Sequence, residues 1–255
     1  MQKASLGCLL LHGLSSHINC IDPVVDRLEK LGIPYRMPAL RGHMSKPEDL
    51  QGVSWQDWYA DAEKALKELL QVADKAVIIG LSMGGVVSLD LTLAYQEQLA
   101  GLVTIAAALK YSDPRTNLLP LLVRFQKKIV FQFNPADYCD PDMLKTNQNY
   151  KWIPTHAALQ LYRYQQRIRK PNLMAQIKIP TLVIAAQRDR TIDPKIQQWL
   201  YDNLGSKEKT LKWFYRSGHE MLRDGEKTEA LDEIEKFVAK LHDRAANELG
   251  QKQKA

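Results

Sequence analysis

This chain predicts an α/β fold: a mostly parallel sheet flanked by helices, with a small helical cap inserted after the fourth of about six strands. Three observations carry that expectation. Short apolar runs (Leu6 to Leu11, Ala76 to Ile79, Leu102 to Ala106, Pro180 to Ala185, Leu211 to Tyr215) alternate with stretches of helical periodicity, and strands separated by helices make parallel sheets covered on both faces. The stretch Ala76-Val77-Ile78-Ile79-Gly80-Leu81-Ser82-Met83-Gly84-Gly85 runs through Gly-x-Ser-x-Gly into Val86, Val87, Leu89 and Leu93, which reads as strand, sharp turn and helix. The alternation then breaks between Ala108 and Ile179, where Pro114, Pro120, Pro135, Pro141, Pro154 and Pro171 divide the chain into short pieces.

Taken in order, Leu6 to Leu11 is a buried strand followed by the loop His12-Gly13-Leu14-Ser15-Ser16-His17. Asp22-Pro23 starts a helix that turns Val24, Val25, Leu28 and Leu31 inward and stops at Gly32. Ile33 to Met37 makes a second strand, with Pro34 limiting its pairing. Ser54 caps a helix carrying Trp55, Trp58, Ala62, Ala65 and Leu69 at helical spacing. The serine turn and its helix come next, then the strand at Leu102. Inside the proline-broken region one helix is clear: Ala157, Leu161, Tyr164 and Ile168 form an apolar stripe, with Arg163, Arg167 and Lys170 on a separate face. The sheet resumes at Pro180, a helix begins at Asp193-Pro194, and the last strand leads through Ser217-Gly218-His219-Glu220 into a closing helix with Leu231, Ile234, Phe237, Val238 and Leu241. Residues 1–109 and 179–255 thus form the core, and 110–178 the cap.

Composition narrows the function classes. The 255 residues suffice for one large α/β domain with an insertion. No apolar run approaches the ~20 residues of a membrane helix. Three cysteines, Cys8, Cys20 and Cys139, are too few and scattered for a disulfide framework or metal site, which fits a reduced, cytoplasmic protein. Neither a cofactor nor a metal is expected, and no glycine-rich phosphate loop is present. The net charge of +6 is uneven: from Lys110 to Arg188 thirteen Lys or Arg face four Asp, a balance of +9. Such asymmetry points to an acidic partner or surface. No nucleic-acid-binding motif accompanies it, so a nucleic-acid partner is not expected. Phe125, Ile129, Phe131 and Phe133 beside Arg124, Lys127 and Lys128 suit either transient contact with an anionic lipid surface or the lining of an apolar pocket.

The serine pattern alone occurs by chance in roughly one chain in ten of this size, so its partners matter. A serine hydroxyl attacks only when a base removes its proton, and the base needs a carboxylate to fix its tautomer. His219 follows the last strand, at the carboxyl edge where sites gather in open α/β sheets. Asp189, in Gln187-Arg188-Asp189-Arg190, has the expected order and spacing; Asp193, which better fits a helix cap, and Asp113 are its rivals. Two backbone N–H groups must meet the developing alkoxide: Met83, at the start of a helix, and a residue of the first loop, Leu14. His12 braces that loop, and His17, His43 and His156 show no ligand spacing and read as structural.

With these residues placed, the chain resembles the α/β-hydrolase superfamily, and more closely its bacterial carboxylesterase and monoacylglycerol lipase group. The resemblance rests on Leu9-Leu10-Leu11-His12-Gly13-Leu14, Leu40-Arg41-Gly42-His43, Trp55-Gln56-Asp57-Trp58, Gly80-Leu81-Ser82-Met83-Gly84-Gly85, Ala186-Gln187-Arg188-Asp189 and Ser217-Gly218-His219. It implies a serine esterase acting on short- to medium-chain acyl esters, with Ser82, Asp189 and His219 catalytic, Leu14 and Met83 giving the oxyanion amides, and monoacylglycerols as substrates. A lysophospholipase or acyl-thioester hydrolase is the alternative that the basic cap suggests, and a non-catalytic receptor on the same scaffold a remoter one. The cap, 110–178, carries no family signature, and the substrate-binding residues within it stay unassigned.

Overall fold

In this computed structural model, which describes residues 3–130 and 139–252, the strands are β1 (Ala4–Leu11), β2 (Tyr35–Arg36), β3 (Ala73–Leu81), β4 (Leu99–Ile105), β5 (Lys128–Val130), β6 (Trp152–Pro154), β7 (Thr181–Ala186) and β8 (Lys209–Phe214). Six of them form one sheet in the order β2-β1-β3-β4-β7-β8, every pairing parallel. The apolar runs do not alternate with polar residues because both faces of the sheet are covered. Successive residues simply go to opposite cores. Leu9, Leu11, Ala76 and Ile78 join one hydrophobic cluster, and Leu10, Val77, Ile79 and Leu81 join the other.

The helices are α1 (Val25–Lys30), α2 (Trp55–Leu69), α3 (Met83–Tyr95), α4 (Leu119–Leu122), α5 (Thr155–Ile168), α6 (Pro171–Met174), α7 (Lys195–Asn203) and α8 (Lys227–Lys252). A capping box starts α2: Asp57 N–H donates to Ser54 Oγ at 3.3 Å, and Ser54 N–H donates to Asp57 Oδ2 at 2.9 Å. Such a cap is worth about 0.5–2 kcal/mol. α3 is buried nearly all round. Its Ser88 and Thr92 hydroxyls satisfy themselves on the carbonyls four residues back, each at 2.7 Å.

The chain between β4 and β7 departs from a purely helical cap. β5 and β6 pair antiparallel through Lys128–Pro154, Ile129–Ile153 and Val130–Trp152. Three-residue strands separated by a long excursion leave no periodic signal to read. The apolar stripe of α5 enters the same cluster as α2 and α3, so this insertion shares the core of the sheet. Trp55 stacks on Tyr164 with ring centroids 4.7 Å apart. The Arg167 guanidinium turns back to the core: Nη2 lies 3.2 Å from Asp90 Oδ1, while Tyr164 Oη donates to Asp90 Oδ2 at 3.0 Å. A buried carboxylate on α3 is therefore satisfied by residues of the insertion, as burial of a charge requires.

The second strand is shorter than Ile33 to Met37, being Tyr35–Arg36 alone. Pro34 and Pro38 flank it and supply no donor, and Pro34 contributes only its carbonyl to Cys8 N–H, at 2.9 Å. The α7 helix begins at Lys195, two residues after Asp193. Phe131 and Phe133 lie outside the described residues. No helix among the described residues is long and apolar enough to cross a membrane.

Candidate active site

The turn between β3 and α3 holds Ser82 at φ 56° and ψ −115°, a left-handed conformation that costs on the order of 1–3 kcal/mol for a residue with a side chain. The neighbouring backbone overdetermines it. Ser82 N–H donates to Ile105 O at 2.9 Å, and Ser82 O accepts from Ala108 N–H at 2.9 Å and Gly85 N–H at 3.0 Å. Gly84 is obligatory for close approach, since a Cβ there would run into the carbonyl of Leu11. A Cβ on Gly13 would come within 2.9 Å of Ser16 Oγ and 3.2 Å of Ser82 Cβ, so the first loop passes directly beside the serine. Met83 is the first residue of α3, where N–H groups have no intrahelical acceptor and the helix dipole is positive.

His219 Nδ1 donates to Asp189 Oδ2 at 2.7 Å. The other carboxylate oxygen of Asp189 accepts from Thr191 N–H and Ile192 N–H, both at 2.8 Å, so the carboxylate that orients the ring is itself anchored to backbone. Burial opposes charging of His219, but the adjacent Asp189 charge and hydrogen bond outweigh it, with Glu220 adding to them, and its pKa lies above the usual histidine value. The loop bearing His219 is held by two buried carboxylates that sequence reasoning missed. Asp224 accepts from Gly218 N–H at 2.7 Å, and Glu226 from Arg216 N–H at 2.6 Å and Ser217 Oγ at 3.2 Å. Their signal is a cluster of acids just after Ser217-Gly218-His219, easily taken for a solvated helix start.

Both rival carboxylates have other partners. Asp193 binds Lys110 Nζ at 2.8 Å and caps α7 through Lys195 N–H at 3.1 Å. Asp113 holds the Arg115 guanidinium at 2.7 Å.

His12 and His43 lie under the first loop with ring centroids 4.7 Å apart. His12 Nε2 accepts from Leu40 N–H at 3.0 Å and its Nδ1 donates to Gly13 O at 2.9 Å. His43 Nε2 accepts from Ser15 N–H at 3.2 Å, and its Nδ1 donates to Leu40 O at 3.0 Å. Desolvation pushes their pKa values down, to about 4 for His12 and about 3 for His43. Both rings are neutral braces.

Ser82, His219 and Leu14 line one cavity of about 370 Å³, within the range of ~300–1,000 Å³ typical of small-molecule sites. Leu119, Ile129, Ile153, Ala158 and Leu161 make an apolar wall supplied by the insertion. Ser15, Ser16, Asn149 and Glu220 make a polar one. Ile129 therefore faces the cavity, whereas Phe125 is 79% exposed and stands at the surface with Leu118, Leu121 and Val130. Lys127, Lys128, Lys145 and Lys151 are exposed too. Among the described residues no group of three or more His, Cys, Asp or Glu side chains has the arrangement to hold a metal ion.

A family model described as "Serine aminopeptidase, S33" matches residues 2–226. The thermostable monoacylglycerol lipase of Bacillus sp. (strain H-257) is 25% identical over 241 residues, covering 94% of this chain and 92% of that protein. The carboxylesterase of Bacillus subtilis (strain 168) is 24% identical over 234 residues, covering 91% and 92%. A solved structure of the metagenome-derived lipolytic enzymes LipS and LipT superposes with a TM-score of 0.84 at 24% identity, over 94% of this chain and 95% of that one.

Proposed function

Because the chain belongs to the family of the S33 serine aminopeptidase model, a branch of the α/β-hydrolases, we propose that it hydrolyses carboxylic esters of short- to medium-chain acyl groups through an acyl-serine intermediate. The observation that carries this reading is a single cavity in which Ser82 and the Asp189-bound His219 meet an apolar wall. The named activities of the relatives from Bacillus agree with it.

His219 Nε2 takes the proton of Ser82 Oγ as the oxygen attacks the ester carbonyl. The N–H groups of Leu14 and Met83 receive the resulting oxyanion, and Asp189 stabilises the imidazolium. Collapse expels the alcohol, which leaves with the proton from His219. A water molecule then gives a proton to the same nitrogen and attacks the acyl carbonyl; the bond from the acyl carbon to Ser82 Oγ breaks, His219 returns the proton to that oxygen, and the acid leaves. Residues 110–178 act as the cap that supplies the acyl wall. Monoacylglycerols suit the site: an alkyl chain against Leu119, Ile153 and Leu161, and a small neutral polyol against Ser15 and Ser16.

A lysophospholipid or acyl-CoA headgroup is less well served. The exposed lysines of the cap face solvent, and the charged residues along the cavity include the carboxylates of Asp113 and Glu220 beside Arg190. The cap surface itself favours a second, non-exclusive reading: exposed Leu118, Leu121, Phe125 and Val130 interleaved with Arg124 and Lys127 suit transient contact with an anionic lipid surface. Sedimentation with anionic vesicles at low salt tests it; the protein is expected in the pellet, and release by salt marks the electrostatic share.

For the chemistry, Ser82→Ala should abolish turnover of monoacylglycerol and p-nitrophenyl esters and labelling by a fluorophosphonate. Undiminished turnover by purified Ser82→Ala protein overturns the reading.

A further inference from the structure

Asn149 sits in the insertion, ahead of β6, and its side chain reaches two catalytic loops at once. Its Nδ2 donates to Glu220 Oε1 at 2.9 Å, and its Oδ1 accepts from His17 N–H at 3.0 Å. Glu220 directly follows His219, and His17 closes the loop that begins at Gly13. The next residue strengthens the grip: Tyr150 N–H donates to Ser15 O at 2.8 Å. Tyr150 Oη donates to Gly42 O at 3.2 Å and accepts from Ser45 N–H at 3.1 Å. Ser15 is itself at φ 61°, a conformation that persists only where neighbours impose it. The backbone of the first loop is thus fixed from below by His12 and His43 and from the side by Asn149 and Tyr150.

The two loops come from strands far apart in sequence, and neither belongs to the insertion. Glu220 is 6% exposed, and its carboxylate has Asn149 Nδ2 on one oxygen and Arg223 Nη1 at 3.9 Å from the other. Loss of its donor leaves a buried carboxylate underpaired, and Glu220 adjoins His219 in the chain.

We propose that Asn149 is a positioning residue, whose amide holds the loop of the Leu14 oxyanion donor in register with the loop of His219. This rests on the proposed roles of Leu14 and His219. The cap then does more than shape the acyl pocket. It assembles the two halves of the catalytic machinery.

The test compares wild type, Asn149→Asp, and the double change Asn149→Asp with Glu220→Gln. The single change keeps the acceptor for His17 N–H but sets a carboxylate against Glu220; the double change restores a donor–acceptor pair with its direction reversed. Misalignment on the ångström scale costs up to about 100-fold, so Asn149→Asp should lower kcat by roughly 10- to 100-fold while leaving KM within about twofold. Affinity for a trifluoromethyl ketone, which forms a tetrahedral adduct with its oxygen in the oxyanion site, should fall in parallel. The double change should recover most of both. Residues that merely shape the cavity would raise KM and leave the adduct's relative affinity unchanged, and that result overturns the proposal, as does an unaltered kcat. If Asn149→Asp does not fold, Asn149→Ala is measured with the same expectations except rescue. Ser82→Ala run alongside separates the two readings: an inactive Ser82→Ala with normal Asn149 variants removes only this proposal, whereas an active Ser82→Ala removes the site assignment itself.

Discussion

Two pairs of side chains, buried except for the partly exposed His219, stand at the carboxyl edge of the sheet, and each contains a histidine. In one, His12 meets His43; in the other, His219 meets Asp189. Desolvation acts on all three rings, yet their protonation preferences diverge. Where the companion is another imidazole and the remaining partners are backbone groups, the pKa falls to about 4 and about 3. Where the companion is a carboxylate held by two backbone N–H groups, it rises. The partner, not the burial, separates a ring held neutral from one that takes up a proton more readily.

The largest effect expected from breaking this contrast comes from Asp189→Asn. It removes the charge that stabilises the imidazolium and invites the wrong tautomer, so kcat should fall by about 10³–10⁴-fold. The residual pH profile sharpens the point. In the wild type, kcat/KM should rise with pH through the raised His219 pKa, because only the neutral ring accepts the serine proton; in Asp189→Asn that limb should move to lower pH.

Next in size is the acid response of stability. His12 and His43 have folded pKa values below the unfolded one, so the unfolded chain binds more protons as pH falls through the window from about 6.5 to about 3. Their neutral burial should therefore cost stability on acidification, on the order of several kcal/mol between about pH 7 and about pH 4. His219 works in the opposite direction: its raised pKa contributes stability below the unfolded value that is lost as pH rises through the folded one. Denaturant titrations at neutral pH and at two acidic values within that window measure the balance.

A smaller loss is expected of His12→Leu, which leaves Leu40 N–H and Gly13 O without their ring partners. Unfolding free energy should drop by about 1–3 kcal/mol, with kcat reduced far less than in Asp189→Asn. The smallest effect belongs to Asp193→Asn. Its half-exposed pair with Lys110 is worth about 0–1 kcal/mol, and kcat should stay within about twofold of wild type. A collapse of kcat there would hand Asp193 the role proposed for Asp189.

How much of this is legible in the sequence differs by residue. The strand before Ser82 and the helix after it are plain, because an apolar run feeding a glycine-flanked serine demands a sharp reversal between two buried elements. Ser82 at φ 56° is what such a turn requires. The helix of Ala157, Leu161, Tyr164 and Ile168 is legible for its periodicity. Arg167 reads instead as part of a solvated face, because nothing local indicates that Asp90, 77 positions earlier, waits for it. Asn149, Asp224 and Glu226 are invisible for the same reason. Polar residues in loops look alike until the chain that they bond has been folded against them. The basic balance of the insertion is real in the count, but its lysines face solvent and the cavity beside Ser82 contains Glu220 instead.

The α/β sheet, the serine turn and the order of Ser82, Asp189 and His219 along the chain can be read without the structure. Those features are local, written in apolar runs, in helical periodicity and in glycines that backbone sterics demand. Tertiary structure decided which carboxylate holds His219, which histidines stay neutral, and that Asn149 and Tyr150, ahead of β6, clamp the first loop. Each of these is a meeting of side chains from distant segments in a water-poor space, where a single hydrogen bond at 2.7 Å and the loss of solvent set the chemistry.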